Sequence, residues 1–208
     1  MGKKIIYRPY QSKDAASLAH IILDTWSFDG GICDSELSVH IGYEYLYFCM
    51  LHADYTQIVE IDGQVEGIII GRTEGKRIDL QSGFKCIYHG LILMLSGVNQ
   101  KISPLFDRYA ANSKLLEELS GVAEGKFGAE VALFIVSKQA RGYGLGSALF
   151  ERLNSFFSAK GIEHYYLHTD SACSYEFYER KGLRRLAAIQ TELSYAGVDN
   201  IGMFVYGK

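Results

Sequence analysis

Between residues 131 and 149 the chain reads VALFIVSKQARGYGLGSAL. An apolar run with strand character gives way to a short polar turn. Arg141-Gly142-Tyr143-Gly144-Leu145-Gly146 follows, and an amphipathic helix then begins. Glycines let backbone N–H groups come close to a ligand, and a helix N-terminus adds positive partial charge. A strand, a glycine-rich turn and a helix in this order make an anion site, and the anion expected is a phosphate.

Spacing sorts the possible phosphates. A nucleoside-triphosphate loop needs Lys and then Ser or Thr after its last glycine, but Ser147 follows Gly146 directly. A dinucleotide fingerprint needs G-x-G-x-x-G and an acidic residue roughly 20 positions on. Here the third glycine comes one place early, and Asp170 is a loose acidic candidate. The pattern Arg/Gln-x-x-Gly-x-Gly/Ala is matched in full by Arg141, Gly144 and Gly146.

Other chemistry is bounded by composition. A net charge of -3 gives no basic face for nucleic acid. Cys33, Cys49, Cys86 and Cys173 form no C-x-x-C pair, so they read as free thiols without zinc or redox spacing. His164 and His168 are too far apart along a strand, roughly 13 Å, to share a metal, and no metal is expected. Gly90–Val98 is the most apolar run and falls well short of the roughly 20 residues that span a bilayer. Met1-Gly2-Lys3-Lys4 runs into Ile5-Ile6-Tyr7 without a leader, so the expected compartment is the cytoplasm.

The elements that must hold the loop follow from periodicity. Ile5–Arg8 reads as a strand ended by Pro9. Ser12 or Asp14 caps a helix with Leu18, Ile21, Ile22 and Trp26 on one face, broken at Gly30-Gly31. A second helix is expected from Ser35 to Ala53, with Leu37, Ile41, Tyr45 and Phe48 inward. Gln57–Ile61 and Val65–Arg72 flank Asp62-Gly63 as a hairpin. Phe84–Leu95 is helical, and Ser103-Pro104 starts a helix that runs to Leu119, with Pro at its first position. Glu130–Val136 is the next strand. Leu145–Lys160 follows as a helix with Leu145, Leu149, Leu153, Phe156 and Phe157 buried and Gly161 as its stop. His164–Thr169 is a strand and Ser171–Lys181 a short helix. Leu186–Tyr195 and Asn200–Tyr206 are strands around the turn at Gly197. Strands and helices alternate in the second half, which implies a parallel crossover, while both ends are hairpin-like.

This order, with the Arg141–Gly146 loop and the segment Phe177-Tyr178-Glu179-Arg180-Lys181-Gly182-Leu183, resembles the GNAT superfamily of N-acetyltransferases along nearly the whole chain. Arg8-Pro9 with Asp14 is similar to the family's opening. The loop resembles its acyl-CoA pyrophosphate loop, and Phe177–Leu183 its Phe-Tyr-x-x-x-Gly-Phe segment. The resemblance implies an α/β fold: a mixed, centrally split sheet of about seven strands flanked by helices. Residues 1–208 would form a single domain, with residues 73–126 as a helical insertion.

The function so implied is transfer of an acetyl or other acyl group from acyl-CoA, in the first place acetyl-CoA, to a primary amine of a small molecule or peptide. Attack is direct, in a ternary complex. The alternatives are an acyl-CoA-sensing module without turnover and a dinucleotide-dependent oxidoreductase. The cofactor contacts implied are Phe134, Ile135 and Val136, with a backbone amide near Val136 polarising the thioester, and Arg141, Gly142, Tyr143, Gly144, Leu145, Gly146 and Ser147. Ser171 and Ser174 stand where the family often has Asn and Ala; Ser171 can still cap the helix there. Tyr178 is the acid expected to serve the leaving thiolate. Glu130 is the expected base, acting through water on an amine of pKa ~10.4, with His168 as another candidate. Trp26, Phe28, Tyr43 and Tyr47 would shape the acceptor pocket beside the insertion. No membrane or nucleic-acid partner is expected, and a homodimer is allowed for.

Overall fold

A computed structural model describes residues 3–26 and 35–208. The expected Gly30-Gly31 break, Phe28 and Cys33 lie outside the described residues. Seven strands form one sheet: β1 (Ile5–Arg8), β2 (Tyr55–Ile61), β3 (Gln64–Thr73), β4 (Ala129–Val136), β5 (Tyr165–Asp170), β6 (Arg184–Gln190) and β7 (Gly202–Gly207), in the order β1-β2-β3-β4-β5-β7-β6. All neighbours are antiparallel except β4 and β5. The mixed, split sheet expected from the resemblance is the sheet observed.

The helices are α1 (Ala15–Trp26), α2 (Ser35–Met50), α3 (Leu80–Leu95), α4 (Asn99–Ser120), α5 (Leu145–Ala159) and α6 (Glu176–Arg180). One face of the β1–β4 half carries α1 and α2 over Ile58, Ile68, Ile70, Leu133 and Ile135. On the same side of the other half, α4 packs through Leu116 near Met203 and Val205. The opposite face carries α5, whose Leu149, Phe150, Leu153 and Phe157 bury against Val59, Ile69 and Val131. The close approach of α1 and α2 needs Gly42, where a Cβ would lie 2.3 Å from the Ala19 carbonyl oxygen.

Local chemistry explains the boundaries. Asp62 (φ 52°) and Gly63 (φ 85°) make the β2–β3 hairpin turn. Asp14 does not cap α1 from in front. It lies in a 3-10 turn (Ser12–Asp14), accepts the Gln11 N–H at 2.7 Å, and takes both ends of the Arg8 guanidinium at 2.7 Å.

Five expectations are corrected. The second helix stops at Met50 rather than Ala53, and Phe48 is 52% exposed while Leu46, Cys49 and Met50 are buried. α2 lies between α1 and α3, so its buried surface spreads around the helix instead of following one stripe. α4 begins at Asn99, with Pro104 inside its second turn rather than at its start. Packing of Ile102 and Leu105 in the core offsets the one backbone bond Pro removes there. The helix expected from Ser171 is only Glu176–Arg180, because Asp170 accepts the Ala172 N–H at 2.8 Å and holds the intervening residues in a turn. Ser171 caps no helix; its Oγ accepts the Gly202 N–H at 3.0 Å. The last two strands end at Gln190 and start at Gly202, leaving Tyr195 and Val198 as an isolated bridge.

Candidate active site

β4 and β5 pair only at Ala129–Glu130 against Tyr165–Tyr166. Beyond that point they part, and a cavity of about 1060 Å³ lies where they diverge. On its other edge β4 keeps its pairing with β3. There the Ser137 N–H donates to the Glu66 carbonyl at 2.7 Å. Successive residues of an antiparallel strand turn their amides to opposite edges. The Val136 N–H, and that of Phe134 before it, therefore face the opening. Between Val131 and Leu133 the register against β3 shifts by one residue, leaving Ala132 as a bulge that sharpens the twist where the strands separate.

A row of polar side chains closes the vertex. Arg72 and Glu130 are cross-strand partners, as are Glu130 and Tyr166. Arg72 Nε donates to Glu130 Oε2 at 2.7 Å and its Nη2 to Oε1 at 2.8 Å; the Tyr166 hydroxyl donates to Oε2 at 3.1 Å. Both carboxylate oxygens of Glu130 are thus engaged, in a clasp joining β3, β4 and β5.

The glycine-rich loop lies at the other end of the opening. Gly142 (φ 86°) and Gly144 (φ 74°) adopt the left-handed conformation that favours glycine. Helix α5 starts immediately after, and Ala148 N–H makes its first-turn bond to the Gly144 carbonyl at 3.1 Å. Gly144 offers no side-chain cap. The N–H groups of Leu145, Gly146 and Ser147 thus have no partner within the helix, and these residues line the cavity together with Arg141. Tyr143 does not line it. Its side chain turns outward, 52% exposed, and the hydroxyl accepts from Lys3 Nζ at 3.0 Å. Ser174 lines the cavity and Ser171 does not.

Tyr178, on α6, lines the same cavity between these two ends. Its ring packs among Phe134, Phe150, Phe177 and Tyr206. Burial pushes its hydroxyl well above the ordinary phenol range.

The remaining wall comes from a helix that motif spacing did not single out. Ser103, Phe106, Ala110, Ser113 and Glu117 of α4 follow helical spacing and all line the cavity. Glu117 Oε1 lies 3.2 Å from Nε2 of His168 on β5, and that hydrogen bond is the first cause holding the Glu117 carboxyl below its ordinary value. His168 Nδ1 is buried without a partner. The signal was present in the sequence as an i, i+3/i+4 run of mostly small or polar residues around Phe106, without any motif to flag it. Of the expected acceptor-pocket aromatics, Trp26 lines the cavity. Tyr43 and Tyr47 do not; they stack with His89 of α3 at ring-centroid distances of 4.6 and 5.8 Å.

Residues 105–205, which include the loop, Tyr178 and most of this wall, match the sequence model of the acetyltransferase (GNAT) domain. Over those residues the chain is similar to GNAT acetyltransferases. Among curated proteins, no relative matches. Among solved structures, an N-acetyltransferase from Staphylococcus aureus Mu50 superposes with TM-score 0.56 at 12% identity, covering 99% of this chain and 98% of that one. The ribosomal-protein-S18-alanine N-acetyltransferase from Escherichia coli gives 0.54 at 11% identity, covering 98% and 92%. Ard1 from Thermoplasma volcanium gives 0.54 at 14% identity, covering 98% and 96%. At these identities the likeness is one of fold. No helix among the described residues is long and apolar enough to cross a membrane.

Proposed function

We propose that this chain transfers an acetyl group from acetyl-CoA to a primary amine of a small molecule or peptide, by direct attack within a ternary complex, and that residues 1–208 act as one unit in which residues 73–126 supply α3 and α4. The observation that carries this reading is the parting of β4 and β5, with the Val136 amide facing the gap and the uncapped start of α5 at one end of it.

Each end of the gap has a chemical task. The amides of Leu145, Gly146 and Ser147, with the Arg141 side chain, hold the CoA pyrophosphate, as negative charge is stabilised at a helix N-terminus. The pantetheine arm runs along the free edge of β4, past Phe134 and Ile135. The Val136 N–H donates to the thioester carbonyl, where negative charge grows as the amine nitrogen attacks; one preorganised donor of this kind is worth about 3 kcal/mol. The C–N bond forms, the C–S bond breaks, and the thiolate leaves. Tyr178 receives it. An ordinary thiol has a pKa near ~8.5, and Tyr178 is pushed far above an ordinary phenol by burial. Complete proton transfer from Tyr178 is therefore uphill, and it acts as a hydrogen-bond donor to the sulfur.

The amine must shed a proton. Glu130 has both oxygens engaged by Arg72 and Tyr166, which suits a clasp better than a base. Glu117 has one oxygen held by His168, with Oε2 outside that bond and the residue on the cavity wall. We assign Glu117, positioned by His168, as the proton acceptor through water.

Thermal denaturation with acetyl-CoA, CoA, NAD and NADP tests the donor half, since a ligand that binds only the folded chain stabilises it by mass action. Acetyl-CoA and CoA are expected to raise the melting temperature; stabilisation by NAD alone would overturn the reading. Thiol release from acetyl-CoA over a panel of amines tests transfer. Binding without release to any amine would identify an acyl-CoA sensor instead.

A further inference from the structure

Helix α3 is arranged inside out. Its small residues face α2: Gly83 has only Leu51 near its Cβ position, at 3.7 Å, and the Cys86 thiol donates to the Glu44 carbonyl at 3.7 Å. At Gly90 a Cβ would come within 2.7 Å of Glu44 Oε1. Apart from Leu93, buried in the core, and the half-buried Ile92, its large apolar residues face outward. Leu80 (71% exposed), Phe84 (72%), Ile87 (61%), Tyr88 (60%), Leu91 (47%) and Leu95 (81%) recur at helical spacing along one stripe. Single exposed apolar residues are ordinary, but a continuous stripe of this size on a lone soluble chain is not.

Area and charge together select the occupant. The stripe presents on the order of 800 Å² of surface, which is what each partner contributes to a standard stable interface. Within Leu80–Leu95 the one Lys, Arg, Asp or Glu is Lys85, and it lies over the Tyr47 ring on the α2 side, 5.0 Å from the centroid. The stripe therefore has no ion to pair with a charged peptide. The exposed cations nearest it, Lys76 and Arg77, precede the helix at one end of the stripe and do not run along its sides, where an amphipathic helix carries the charges that set it onto an anionic bilayer. An uncharged apolar stripe is complementary to a second uncharged apolar stripe, and the chain itself supplies one. A two-fold axis through the middle of α3 buries both copies at once.

We propose that the outer face of α3 is the interface of a homodimer in which the α3 helices of two chains pack on each other.

Sedimentation or light scattering of the purified full chain at micromolar concentration should give twice the 23.3 kDa chain mass. The double variant Phe84→Glu, Leu91→Glu should weaken association about a hundredfold or more, the scale on which buried interface anchors act. Both sites point outward, so the variant should still melt cooperatively. Should it not, the milder Ile87→Ser and concentration-dependent amide-exchange protection of residues 80–95 in the wild-type chain give the same reading. A wild-type chain that sediments at single mass throughout a concentration series overturns the proposal, as does a double variant that remains dimeric. A monomer that co-sediments with phosphatidylcholine–phosphatidylserine vesicles overturns it too, and gives the face to lipid.

Discussion

Nε2 of His168 on β5 lies 3.2 Å from Oε1 of Glu117 on α4, so the second of the two helices between β3 and β4 contributes a carboxylate to a cavity whose opposite wall is β4. The pair joins a strand of the sheet to the segment least marked by motif, and both residues line that cavity.

Glu117→Gln is expected to lower kcat on the order of a hundredfold, the low end for a general acid–base group, with the KM for acetyl-CoA unchanged. The deficit should shrink as pH rises toward the pKa ~10.4 of a lysine-like amine, because the substrate then loses its own proton. His168→Ala should act in the same direction and less strongly, since it loosens Glu117 without removing it. Equal rates for wild type and Glu117→Gln across pH would remove the carboxylate from the reaction.

Tyr178→Phe should reduce kcat at least several-fold while stabilisation by acetyl-CoA survives, because the ring's packing against Phe134, Phe150 and Tyr206 is retained and only the donor is lost. Leaving-group dependence is the specific readout. The deficit should grow for thioesters with more basic thiols, which need the hydrogen bond most. Loss of binding instead of turnover would make Tyr178 a packing residue.

Gly144→Ala places a side chain at φ 74° with no neighbour within 4 Å, so its cost is backbone conformation alone, about 1–2 kcal/mol. Stabilisation by acetyl-CoA should fall with it, because the loop must deform to relieve the strain. Gly161→Ala is the control: φ 72°, equally open, at the other end of α5. It should lower stability to a similar extent and leave the acetyl-CoA effect intact. Two variants that reduce that effect alike would separate the loop from the pyrophosphate.

His89 makes stability depend on pH. Burial, and then the neighbouring His40, lower its pKa from 6.5 to about 4. Its Nδ1 lies 2.7 Å from that of His40. The unfolded chain binds a proton here below 6.5 that the folded chain refuses until about 4, so stability falls as pH drops through this window. The residue is partly exposed, and after allowance for screening the loss is about 1 kcal/mol. Urea midpoints between pH 7 and pH 4.5 should fall further in wild type than in His89→Gln, because carboxylates such as Glu117 and Glu179, held below their ordinary values, titrate in both. The same slope in both would place the titration elsewhere.

Much of the fold was legible in order of residues. Asp62-Gly63 announced the hairpin, Gly161 the end of α5, and Leu149, Leu153 and Phe157 its buried side, because turn chemistry and periodicity act within a few residues. The Arg141–Gly146 spacing and Phe177-Tyr178 were legible for the same reason. What misled was local too. Pro104 reads as a helix start, and only the packing of Ile102 and Leu105 carries the helix back to Asn99. Ser171 reads as a cap, and only Asp170 and the nearby Gly202 amide assign it a different partner.

The sequence by itself determined the strand, the glycine loop and the helix that follows it, since each depends on neighbours along the chain. The tertiary structure alone decided what surrounds them. Whether Glu130 is a free carboxylate or a clasp depends on Arg72 and Tyr166 in two other strands. Whether Glu117 faces solvent or His168 depends on how α4 is docked across β5 and β7. Those contacts join residues far apart in the chain, and no periodicity along one segment encodes which of its neighbours a side chain meets across a sheet.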